Sequence, residues 1–119
     1  MNRPTTPTAS LKKLIVEAEA AADAAKAARL RSRHPEEGGS EEDALVRLAW
    51  LEEARQHLLN AIAGYRAATE RLVAVALKPH CAVPAERSAM KIASRLGSLL
   101  DLVVLIELEI GRVSAAILH

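Results

Sequence analysis

The chain has no phenylalanine, one tryptophan and one tyrosine among its 119 residues. A core without aromatic side chains must be filled by small and branched aliphatic ones, and no row of rings is available to stack nucleic-acid bases. A single cysteine, Cys81, excludes an intramolecular disulfide and a cysteine-ligated zinc site. Net charge is only +1, so the chain as a whole exerts no strong pull on nucleic acid or a membrane surface. Long uncharged apolar runs are also missing. In the most hydrophobic stretch, residues 96–113 (LGSLLDLVVLIELEIGRV), Arg95, Asp101 and Glu107 leave uncharged runs of five residues, against the roughly 20 that a membrane span needs. The opening MNRPTTPTAS carries no apolar signal core. With the lone thiol, it sets the expectation of a cytoplasmic protein that does not enter a membrane.

What is present is aliphatic. Half of the residues are hydrophobic, almost all of them Ala, Leu, Val and Ile, and Ala and Leu are the strongest apolar helix formers. The length predicts one domain that buries roughly 65% of its unfolded surface. Pro4 and Pro7 mark an irregular arm over residues 1–9, followed by a single helical domain over 10–119. A first helix is expected over about 10–33, ended by HPEEGG. Ser40-Glu41-Glu42-Asp43 reads as a capping box that opens a second helix, 41–78. KPHCAVP stops it, and Pro84 suits the first turn of a third helix, 85–118. No strand alternation and no internal repeat is visible.

Periodicity assembles these helices into an all-α, antiparallel, coiled-coil-like bundle. In the second helix Ala44, Leu48, Leu51, Arg55, Leu58, Ile62, Tyr65, Thr69, Leu72 and Ala76 recur at alternating four- and three-residue spacing. The third helix carries Ala89, Ile92, Leu96, Leu99, Val103, Ile106, Ile110, Val113 and Ile117, every one apolar. A short connection makes the pair an antiparallel hairpin. If Lys78 lies opposite Ala85, facing residues have numbers adding to about 163. Arg55 then meets Glu107 and Glu52 meets Arg112, as ion pairs that fix alignment more than they stabilise.

Beside the main seam of the third helix runs a second apolar row, Ala93, Gly97, Leu100, Val104, Leu108, Gly111, Ala115 and Leu118. The second helix has an extra face of Ala54, Ala61, Gly64 and Ala68 beside Trp50. A helical glycine costs about 1 kcal/mol relative to alanine, so Gly64, Gly97 and Gly111 suggest close approach by another helix. The first helix offers a methyl-rich stripe, Leu11, Leu14, Ala18, Ala21, Ala25 and Ala28. At ~1.5 Å per residue it is shorter than its neighbours, and the hairpin is expected to extend beyond it. The uncovered tip would then expose Leu72, Val73, Val75, Leu77, Ile92, Leu96, Gly97 and Leu100, an apolar patch of the kind that marks an interface. The expectation is a helical interaction module that associates with itself, as a dimer or higher oligomer, or with another helical protein.

Chemistry is sparse. Glu53 and His57 are four apart on one helix face, but a di-iron bundle needs Glu-x-x-His pairs on two helices, and neither is present. Glu107 and Glu109, two apart, point in different directions. His80-Cys81 lacks a placeable orienting base. No cofactor or metal is expected, and no catalytic residue is assigned. One end is basic, with Arg66, Arg71, Lys78, Arg87, Lys91 and Arg95 near the hairpin tip, and a nucleic-acid backbone held by phosphate contacts there is the alternative function. Arg112-Val-Ser-Ala-Ala-Ile-Leu-His119 resembles the Arg-x4-6-His motif of HEPN-type ribonucleases, which are small all-helical dimers. That likeness covers eight residues, with Val113 where the family usually has a polar residue. It implies a joint action of Arg112 and His119 on a phosphodiester.

Overall fold

The computed structural model describes residues 7–33, 41–78, 80 and 82–118. Among these the chain forms three helices, α1 (Pro7–Ser32), α2 (Glu41–Ala76) and α3 (Ala82–Leu118). The start of α1 corrects the expected boundary, because residues 7–9 are helical and not part of an arm. Proline is tolerated there since the first helical N–H groups have no partner inside the helix. Pro84 lies in the first turn of α3, as its chemistry requires. Glu41, Glu42 and Asp43 occupy the first turn of α2, where negative charge favours the helix dipole. The expected Ser40 cap and the HPEEGG breaker lie outside the described residues.

The bundle is built outward from α2. On α3, Ala85, Ile92, Leu99, Ile106 and Val113 are buried at intervals of seven residues. They meet a face of α2 that buries Leu51, Leu58, Ile62, Tyr65 and Leu72. Each fully buried leucine or isoleucine here contributes about 1.5–3 kcal/mol of transfer free energy. The adjoining face of α2 is alanine. Ala54, Ala61 and Ala68 are sealed against α1, whose own contact row is Ala18, Ala22, Ala25 and Ala28. Methyl-to-methyl packing permits a short distance between helix axes. At Gly64 the approach is closest, since a Cβ built there would lie 3.0 Å from the Ala18 Cβ. This glycine is explained within the chain.

Helices α1 and α3 both run along α2 and meet each other chiefly through long side chains. The result is a flattened body of 59 × 32 × 21 Å. Ala18 opposite Gly64 also sets the reach of α1. Eleven further residues carry it about 16 Å beyond that level toward the hairpin tip, so it covers more of α2 than its length alone suggested. Leu72 and Ile92 are both buried. No helix among the described residues is long and apolar enough to cross a membrane.

Candidate interaction surface

Ion pairs fix which face of each helix turns inward. Arg55 Nη1 lies 3.4 Å from Glu107 Oε2, at the hairpin register expected from the seams. Glu52 and Arg112 do not follow. Both are exposed, and neither joins an ion pair among the described residues. The Arg112 charge instead lies near Glu109 and helps to hold its carboxyl down. The main hold on Glu109 is Arg29 of α1, whose Nε–H and Nη2–H donate to the two carboxylate oxygens at 3.3 and 2.8 Å. This fork, led by the hydrogen bonds from Arg29, lowers the Glu109 pKa from its ordinary 4.5. Glu107 and Glu109 thus tie α3 to two different helices.

A second link between α1 and α3 centres on Tyr65. Its buried hydroxyl donates to Glu19, and Arg95 donates to the other Glu19 oxygen at 3.2 Å. The tyrosine bond, with the arginine beside it, lowers the Glu19 pKa, while burial and then the Glu19 contact raise that of Tyr65. Near the other end, the Arg31 guanidinium sits 5.0 Å from the Trp50 ring centroid, a cation–π contact. None of the contacts between α1 and α3 was visible in the sequence, because their partners are 76 to 80 positions apart and follow no shared period.

With these groups engaged, little is left for chemistry. Arg95 is withdrawn from the basic tip by Glu19. Arg66 borders an apolar groove, and Arg71, Lys78, Arg87 and Lys91 remain exposed. His57 Nε2 and Glu53 Oε2 form an i,i+4 surface pair at 3.5 Å. Among the described residues no group of three or more His, Cys, Asp or Glu is placed to hold a metal ion. Arg112 is exposed while Val113 is buried in the hairpin. His119 and Cys81 lie outside the described residues.

The apolar surface is a different matter. Of the interface residues expected at the tip, Leu72 and Ile92 must be struck out, since α2 and α3 bury them against each other. Val75 and Leu96 are half-buried against the same core. Val73, Leu77, Gly97 and Leu100 are exposed. The uncovered apolar surface therefore runs from the tip, where Val73, Leu77, Val83 and Met90 are exposed, along the back of α3. There the whole second row from Ala93 to Leu118 is exposed, with Leu100 at 45%, Val104 at 58% and Leu108 at 54%. A Cβ built on Gly97 or Gly111 would meet none of the described residues within 4 Å. Leu100 also joins this row to the groove between α2 and α3, where Leu59, Ile62, Ala63, Ala67 and Val103 enclose about 390 Å³.

No family model, curated protein or solved structure matches the chain. The surface must be read on its physical chemistry. Two buried faces of α2 and one of α3 complete the core, whereas the back of α3 keeps an apolar row of full length in water. Monomeric proteins rarely leave such a row uncovered.

Proposed function

We propose that this chain is a non-enzymatic helical assembly module that pairs with a second copy of itself through the apolar back of α3. The observation that carries this reading is the pair of glycines, Gly97 and Gly111, set in an exposed apolar row with open space in front of each. Glycine weakens a helix by about 1 kcal/mol relative to alanine. Gly64 recovers that cost by admitting α1. Gly97 and Gly111 admit none of the described residues of their own chain, which favours close approach by a second helix. Leu100, Val104 and Leu108 supply the matching apolar area, worth roughly 25 cal/mol for each Å² removed from water.

Aspartate at both Val104 and Leu108 tests this reading. Both side chains are exposed, so the three-helix core is untouched and helix content should stay native. Two carboxylates in the contact would have to be desolvated on pairing. The native protein is expected to elute from a sizing column as a pair and the double variant as a single chain. Identical elution of the two proteins would overturn the reading.

A further inference from the structure

The exposed row on α3 has a symmetry that determines how a second copy would sit. Apolar residues stand at four, seven, eleven and fourteen positions on each side of Val104, and all of them are exposed. The two halves also match in kind. Leu100 corresponds to Leu108, Gly97 to Gly111, Ala93 to Ala115, and Met90 to Leu118. From Met90 to Leu118 the row averages about 3.5 residues per step, the period of a coiled-coil seam. We propose that two copies pair antiparallel, α3 against α3, on a two-fold axis that passes through Val104. This rests on the self-association reading and specifies its geometry.

A two-fold contact uses the same patch on both partners, so each residue must suit the one it meets. With the axis at Val104, residues equally far before and after it face each other. Gly97 of one copy then lies against Gly111 of the other, twice over, and the backbones can close at two points on either side of the centre. Leucines interlock between those points and Val104 meets itself. Every position in the row is met by one of equal bulk.

Charge decides against the parallel arrangement, which would also bring like residues together. Parallel pairing sets the basic hairpin tips, with Arg71, Lys78, Arg87 and Lys91, at the same end, and leaves each Asp101 and Arg112 without an opposite charge at its own level across the contact. Antiparallel pairing separates the tips and brings each alongside the acidic start of the partner's α2, Glu41 and Glu42. Asp101 and Arg112 project from nearly the same side of α3, being eleven residues apart at about 100° each. In the antiparallel pair they become neighbours across the contact, offset by about 7–8 Å along the axis, within reach of long side chains. Asp101 has no ion-pair partner of its own among the described residues. The opposed helix dipoles favour the same orientation.

Disulfide trapping tests the geometry. With Cys81 changed to serine, a single cysteine replaces Val104 in one protein, Leu108 in a second and Leu100 in a third. A disulfide requires Cα atoms roughly 4.4–6.8 Å apart. V104C is expected to form a covalent dimer on mild oxidation, because its two copies meet at the axis. L108C alone should not, its copies being separated by about 12 Å along the helices. L100C and L108C, unfolded and refolded together, should yield the mixed dimer. Self-linking of L108C, with or without that of V104C and with a native mass that is still dimeric, would overturn the antiparallel register while leaving self-association intact. A native protein with the mass of one chain, and no trapping at any position, would overturn both.

Discussion

Leucine in place of Ala61 should detach α1 from α2 and lower stability by about 3 kcal/mol, the upper part of the range for an overpacked core. Ala61 has no exposed surface, and it sits between Ala54 and Ala68 on the face that receives α1. Its surroundings across the contact are alanines. A methyl group has no rotamer by which to make room, so the added atoms can be accommodated only by moving the helix axes apart. Gly64, 3.0 Å from the Ala18 Cβ in prospect, shows how little slack the contact has. The variant should lose amide-exchange protection first along α1, while α2 and α3 retain theirs. An unchanged unfolding midpoint in urea would mean that α1 is not packed on this face.

The second large effect separates two neighbours. Leu99→Ala should lose about 2–5 kcal/mol, since Leu99 is only 1% exposed and anchors the seven-residue row against α2. That is a large share of the 5–15 kcal/mol that a domain possesses. Leu100→Ala, one position on, should cost the isolated chain little, because that side chain is 45% exposed. Its loss should appear in association instead. Urea unfolding at low protein concentration, with both variants beside the native chain, checks the pair. Equal losses at the two positions would mean that α3 is rotated relative to α2, and the exposed row would lose its standing.

Much of this architecture was legible in the sequence. The seams of α2 and α3 are long and periodic, so their pairing and register follow from the spacing, and Arg55 meets Glu107 on that register. The second row on α3 was readable for the same reason. The inward face of α1 was readable too, since the stripe of Leu11, Leu14, Ala18, Ala21, Ala25 and Ala28 is buried or packed against the core, but periodicity does not define the level of α1 along α2. Its true level, fixed by Ala18 on Gly64, carries it further along α2 toward the hairpin tip than its length suggested. The polar ties, Arg29 to Glu109 and Glu19 to Tyr65 and Arg95, depend on that same level. The expected pairing of Glu52 with Arg112 failed because register sets the level of a side chain and not its direction. Arg112 turns outward, toward the side that the antiparallel contact would cover.

Covering of the back of α3 by another copy of the chain, as proposed above, has a direct consequence in solution. Its most direct test is the absolute mass in solution, by light scattering on a sizing column, at several concentrations and two salt levels. Twice the 12.8 kDa of one chain is expected, with little response to salt because the contact is mainly apolar. A mass of one chain at every concentration would contradict it.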